Sequence, residues 1–135
     1  KIANHRFVWG SNKMVAEEGR ILMFAYHLTK QQTYFRAALA QLNFILGMNP
    51  QGLSFVTGIG ENRVQKVAHL FARAKKSDIE GLLVGGANDL AQDNIAPKAK
   101  GILSYIDSEK AYSVNEYAID YNSALIGLLG LLESN

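Results

Sequence analysis

Apolar residues recur at helical spacing in three stretches of the chain. The first, 12–29, carries Met14, Val15, Ile21, Leu22, Ala25 and Leu28 on one stripe, broken only by Glu18. Ser11 and Asn12 stand at its start, where their side-chain oxygens can accept from unpaired first-turn N–H groups, so they are the predicted N-caps. A polar break over Thr29 to Thr33 follows. The second stretch, 31–46, places Tyr34, Phe35, Ala38, Leu39, Leu42, Ile45 and Leu46 on one face. Gly47 and the Asn49-Pro50 pair end it, because proline lacks an N–H and pushes the preceding residue out of helical angles. So short a link between two helices predicts an antiparallel pair. The third stretch, 115–132, carries Ala118, Ile119, Asn122, Leu125, Ile126 and Leu129, and Leu128, Leu131 and Leu132 make its end apolar nearly all round. Such a helix is expected to be buried on most sides. Gly127 and Gly130 within it permit close helix packing.

Between 47 and 112 the periodicity fades. Gly47, Gly52, Gly58, Gly60, Gly81, Gly85, Gly86 and Gly101, eight of the twelve glycines, lie here. Val64, Val67, Ala68 and Phe71 predict one short helix over 64–75. Residues 1–10, with Phe7, Val8, Trp9 and Gly10, read as an extended or irregular entry segment. Loops this long inside a compact domain point to function. The pattern therefore predicts an all-α chain with long glycine-rich loops between helices.

Composition narrows the classes. The 135 residues are 48% hydrophobic and 19% charged, with two prolines, which is a globular balance. Fourteen basic against twelve acidic residues leave +2, too little and too scattered for a dedicated nucleic-acid binder. No run approaches the roughly 20 apolar residues of a membrane span. Without cysteine there is neither a disulfide scaffold nor a thiolate metal site. The chain begins at Lys1 and shows no signal-peptide pattern there, so it reads as a piece of a longer protein.

Several constellations are candidates for chemistry. Thr57-Gly58-Ile59-Gly60-Glu61-Asn62 superficially resembles a phosphate loop, but Arg63 stands where the third glycine belongs and no βαβ unit surrounds it. His5, His27 and His69 have no zinc-pair spacing. Asn88, Asp89, Asp93 and Asn94 fall short of a calcium loop and are better read as turn formers. The densest cluster is Tyr112 to Asn122. On a helix, Glu116 and Asp120 share one face, and Tyr117 and Tyr121 another. Ser113 and Glu116 have the spacing of a capping box. The functional alternative is a carboxylic acid at a helix start, flanked by aromatic rings and facing the loops.

Asn115-Glu116-Tyr117-Ala118-Ile119-Asp120-Tyr121-Asn122-Ser123 resembles, with two changes, the NEVAIDYNA signature of glycoside hydrolase family 9, the inverting endoglucanases. Other segments match in order: Trp9-Gly10-Ser11-Asn12, Leu46-Gly47-Met48-Asn49-Pro50, Ser54-Phe55-Val56-Thr57-Gly58, Gly81 to Asn88, and the Tyr105–Asp107 pair. The resemblance implies the C-terminal part of an (α/α) six-fold barrel across 1–135, with the glycine-rich loops forming one wall of a sugar cleft. It implies Glu116 as the general acid that protonates the leaving glycosidic oxygen, and Tyr121 as a contact to the sugar beside the cleaved bond. An inverting enzyme also needs a base about 6.5–9.5 Å away. The family's base lies in an Asp-Ala-Gly-Asp motif that these residues lack, so the chain alone is expected to be inactive.

One departure stands out. Where the family carries Pro-His-His-Arg, this chain reads Lys66-Val67-Ala68-His69-Leu70-Phe71-Ala72-Arg73. His69 is the surviving histidine and Arg73 a substitute for the arginine, and both are expected to bind substrate. The implied partners are a β-glucan oligosaccharide or polysaccharide and the missing N-terminal part of the catalytic domain. No cofactor, metal, nucleic acid or membrane is implied, and polymeric substrates imply secretion or a periplasmic location. Uncovered barrel faces predict self-association. The competing readings are a relative that binds carbohydrate, or an altered substrate, with reduced or no hydrolysis, and a helical interaction module in which Glu116 is only a cap.

Overall fold

The computed structural model describes residues 7–75, 77 and 79–134, so His5 and the start of the entry segment lie outside the described residues. Five α-helices run in the order α1 (Ser11–Thr29), α2 (Gln32–Ile45), α3 (Leu70–Lys75), α4 (Tyr112–Asn115) and α5 (Ile119–Glu133). The described residues contain isolated bridges but no named strand, as the all-α expectation requires. Among the described residues, no helix is long and apolar enough to cross a membrane.

α1 is the hub, packed on both α2 and α5. Against α2 the pairing is antiparallel: Tyr26 meets Phe35 with ring centroids 5.3 Å apart, and Met23 meets Ala38 in one buried cluster. Against α5 the direction is parallel, since Gly10 faces the Tyr121 ring and Gly19 faces Leu128. Gly19 and Gly127 are what allow that approach. A Cβ on Gly19 would lie 2.8 Å from Leu128, and one on Gly127 would lie 2.7 Å from Arg20, whereas Gly130 faces open space.

Three expectations change at the helix starts. Ser11 and Asn12 are not N-caps: they lie inside the first turn of α1, behind the left-handed Gly10. The Asn12 N–H donates instead to the Gly85 carbonyl and its Nδ2 to the Val84 carbonyl, both at 3.0 Å, so a loop backbone satisfies the helix end. The helix expected over 64–75 is confined to 70–75, because Val64 and Ala68 spend their N–H groups on Ser54 and Asn115. The helix expected from 115 breaks at Glu116, which is extended (φ −89°, ψ 155°), and resumes only at Ile119.

Above the helices the loops knit into a layer of short extended segments. Thr57 donates to Leu82, Val84 to Phe55, Gly85 to Glu116 and Gly86 to Val114, each at 2.9–3.0 Å. Phe55, Leu83, Val84 and Val114 are fully buried beneath and within this layer, with Val15 and Ile45 from the helices. The loop region is thus ordered by backbone pairing rather than by helical periodicity. Asp93 and Asn88 act as turn formers: Asp93 accepts from the Ile95 and Ala96 N–H groups, and Asn88 from Leu90.

The apolar stripes are only half used. Met14, Ile21 and Leu28 of the expected α1 stripe are exposed, Leu28 by 86%. The expectation that the last helix is buried on most sides fails for the same reason: Ile119 is 93% exposed and Ile126 and Leu129 are open as well. α1 and α5 each have a second apolar face that the described residues leave uncovered.

Candidate active site

The break between α4 and α5 sets the candidate acid. In a continuous helix Glu116 and Asp120 would share a face. Instead Glu116, Tyr117 and Ala118 form an extended step, with Glu116 and Ala118 both in β geometry. The Glu116 carbonyl accepts from Gly85, and Val84 and Tyr117 form an antiparallel bridge. The step is therefore pinned to the loop layer, and the Glu116 side chain is left half-buried. Asp120 goes elsewhere: it pairs with Lys13 at 2.9 Å on the exposed surface, and this bond holds its carboxyl below the usual range.

The capping box does not form. Neither α4 nor α5 has a side-chain cap bond at its N-terminus. The Ser113 hydroxyl and N–H both donate to Asp93, twenty positions away. Burial pushes the Asp93 carboxyl up, but the bonds from the Ser113 hydroxyl and from the Ala96, Ile95 and Ser113 N–H groups outweigh it and hold the carboxyl low.

Around Glu116 the balance runs the other way. Burial raises its pKa, while the Trp9 indole N–H and the nearby His69 pull back without reversing the shift. The carboxyl thus keeps its proton to higher pH than a free glutamate. Tyr121 lies beside it in the first turn of α5, 6% exposed, its ring against Gly10 and Gly85. Its phenol is pushed up by burial and by the Glu116 charge.

His69 stacks on Tyr117 with ring centroids 4.1 Å apart and planes 24° from parallel. Its Nδ1 accepts from the Phe71 N–H at 3.2 Å, which assigns the ring proton of the neutral form to Nε2. Trp9 and Tyr112 add an exposed pair of rings with centroids 5.8 Å apart. A carboxyl of raised pKa beside exposed aromatic faces is an arrangement that can bind a sugar ring and protonate a leaving oxygen.

Of the four residues singled out from the sequence, the structure brings Glu116, Tyr121 and His69 together. Arg73 lies one turn beyond His69, its N–H donating to the His69 carbonyl at 3.1 Å, and it lines a cavity of about 420 Å³ with Gln65, Lys66, Val67, Ala72, Ser77 and Glu109. Trp9 was legible only as part of a motif, and its contact with Glu116 had no local signal. Tyr117 was placed on a helix face with Tyr121, yet it pairs with His69 because the chain is extended there.

The Glycosyl hydrolase family 9 profile matches residues 2–129. A xyloglucan-specific endo-beta-1,4-glucanase, BoGH9A of Bacteroides ovatus, is 35% identical over 95% of this chain and 22% of its own length. A cellodextrinase of Butyrivibrio fibrisolvens is 37% identical over 94% of this chain and 25% of its own. In three dimensions, a metagenome-derived glycoside hydrolase family 9 endoglucanase superposes with a TM-score of 0.91 at 42% identity, over 96% of this chain and 24% of its own. The chain thus spans about a quarter of the length of these relatives. The helical architecture is that of part of an (α/α) six-fold barrel, as the sequence motifs implied.

Proposed function

The chain belongs to glycosyl hydrolase family 9, and from that premise we propose that it supplies the general acid, Glu116, for inverting hydrolysis of β-1,4-glucosidic bonds. The observation that carries this reading is the half-buried Glu116 carboxyl on the α4–α5 step, its pKa raised by burial and its side chain set beside Trp9, Tyr121 and His69. A raised pKa is what a proton donor needs at working pH. In this reading Glu116 protonates the leaving glycosidic oxygen, Tyr121 contacts the sugar beside the cleaved bond and His69 donates from Nε2 to a sugar hydroxyl. Trp9 and Tyr112 offer their faces to pyranose rings. The base that activates water comes from a part of the parent protein outside these 135 residues, which lack the Asp-Ala-Gly-Asp motif. Residues 1–135 are then one portion of a larger catalytic domain, and a polymeric substrate places the parent outside the cytoplasm.

The substrate class is a β-1,4-glucan. The relatives named above act, by name, on xyloglucan and on cellodextrins. A second reading has one observation in its favour. Arg73 lines a cavity whose lining includes neither Glu116 nor Tyr121, and the stretch that carries it departs from the family's Pro-His-His-Arg. On that reading the parent binds glucan, or a different glycan, with reduced or no turnover.

The deciding experiment compares reducing-sugar release from cellulose, xyloglucan and soluble β-glucan by the intact parent and its Glu116→Gln variant, both with folding checked. The expected result is turnover by the parent and a loss of about 10²–10⁴-fold in the variant. Equal rates in both would remove Glu116 from the mechanism. Binding without turnover in either would favour the second reading.

A further inference from the structure

Lys66 and Arg73 flank His69 on either side, in the stretch that departs from the family's Pro-His-His-Arg. Both side chains are exposed, and both line the cavity of about 420 Å³. That volume lies within the range of small-molecule sites, about 300–1,000 Å³. Val67 and Ala72, 3% and 7% exposed, give the cavity a buried apolar patch. Gln65, Ser77 and Glu109 add an amide, a hydroxyl and a carboxylate. Among the described residues the ion pairs are Lys13–Asp120 and Arg20–Glu17, so neither cation of the cavity is spent on a neighbouring carboxylate. The cavity also adjoins the candidate active site through shared backbone. The Arg73 N–H donates to the His69 carbonyl at 3.1 Å, and the Ala68 N–H donates to the Asn115 carbonyl at 2.9 Å. The His69 ring stacks on Tyr117, next to Glu116. Segment 65–73 therefore lines the cavity and meets the Glu116 step through Ala68 and His69.

From this we propose that the cavity binds a carboxylated sugar, a uronic acid residue carried as a side branch of the β-glycan, with Lys66 and Arg73 holding its carboxylate. The inference rests on the reading of the chain as part of a β-glucan hydrolase. Charge selects the class of ligand. Two cations against the single carboxylate of Glu109 leave one positive charge, which matches a monoanion. A phosphate dianion or a polycarboxylate would set its surplus charge against Glu109, and like charges so placed are costly. Chemistry selects a sugar among the monoanions. Glu109 accepts from hydroxyls, Ser77 and Gln65 both donate and accept, and the Val67–Ala72 patch suits the C–H face of a pyranose. Position selects a branch over the main chain. The lining includes none of Trp9, Tyr112, Tyr117 and Tyr121, the rings grouped around Glu116, so a unit held here lies off the track that those rings define.

The test measures binding to the intact parent protein carrying Glu116→Gln. Three probes are compared by calorimetry: a cello-oligosaccharide with one glucuronosyl branch, the same oligosaccharide with a glucosyl branch, and free D-glucuronic acid. The glucuronosyl probe should bind about tenfold more tightly than the glucosyl probe, the scale of one hydrogen bond to a charged group. Lys66→Gln and Arg73→Gln should each cut that preference to about threefold or less. Lys66→Gln should leave the affinity for the glucosyl probe within about twofold. Both residues are exposed, and either variant keeps the test open should the other fail to fold. High NaCl should shrink the preference, because exposed charges are screened. Equal affinity for the two branched probes, or a preference that survives both substitutions, would overturn the proposal. Free glucuronic acid binding as tightly as the glucuronosyl probe would make the cavity a site for a soluble sugar acid and overturn the branch. Reducing-sugar release by the unmodified parent separates this from the hydrolase reading. Hydrolysis without carboxylate preference would remove the cavity and leave the hydrolase, and carboxylate preference without hydrolysis of any β-glucan would do the reverse.

Discussion

Glu116 shows how one residue's role is decided by partners far away in the chain. Its spacing from Ser113 satisfies the capping-box pattern, yet Ser113 is captured by Asp93 and the glutamate faces Trp9 and His69. Local spacing could not reveal this, because the competitor lies twenty positions away in a loop. What the residue types did convey was a carboxyl among aromatics, and that part holds. The raised pKa has a consequence for stability. A carboxyl whose folded pKa exceeds its unfolded value binds more protons in the native state, so its contribution favours folding at low pH and is lost as pH rises through the folded pKa. The Glu116→Gln variant of the parent lacks this penalty. Its thermal midpoint relative to the unmodified protein should therefore be more favourable at pH 8 than at pH 4. A difference that is constant with pH, or that reverses, would show that burial does not dominate at this carboxyl.

At the scale of elements, the three long helices were legible, and the one end that was not is the start of α5. Helical periodicity places α1 and α2 within a residue or two, because stripe and stop signals are local. The start of α5 was misplaced by four residues, since Glu116 and Tyr117 are drawn into pairing with Val84 and Gly85. The same loop anchors α1 through Asn12. Gly86 is the hinge of that contact: its φ is +85°, and a Cβ there would lie 2.4 Å from the Asn12 side chain. Gly86→Ala should cost about 1–3 kcal/mol from the left-handed backbone alone, with the steric clash added to it. Asp93→Asn tests the other anchor. It weakens the bonds to Ser113, Ile95 and Ala96, and about 1–3 kcal/mol is expected for a charged acceptor with several buried donors. Because the Asp93 pKa is lowered on folding, its stabilising contribution is present above the unfolded value and is lost as pH falls through the folded one. The Asp93→Asn deficit, read from chemical denaturation of the parent at pH 7 and pH 3, should therefore shrink at the lower pH.

For the molecule as a whole, the decisive feature is what the helices leave uncovered. α1 buries Val15, Ala16, Gly19 and Met23 against its neighbours but turns Met14, Ile21, Phe24 and Leu28 outward at spacings of three, four and seven. α5 does the same with Ile119, Ile126 and Leu129. A helix with two apolar faces belongs between two neighbours, and the relatives are about four times as long as this chain. Sequence periodicity signalled that these positions were apolar, but it could not separate faces covered within these residues from faces that need further chain. Isolated as a 135-residue polypeptide, the chain should bury those faces against another copy of itself. Sedimentation velocity should then show a mass that rises with concentration, and substituting Ile21, Leu28 and Ile126 with lysine or glutamate should return it towards the monomer. If the base lies outside these residues, as proposed, the same preparation should release no reducing sugar from β-glucan. A clean monomer at high concentration would mean that the exposed faces are tolerated in water. Turnover by the isolated chain, abolished in Glu116→Gln, would mean that a base for the reaction lies within these 135 residues.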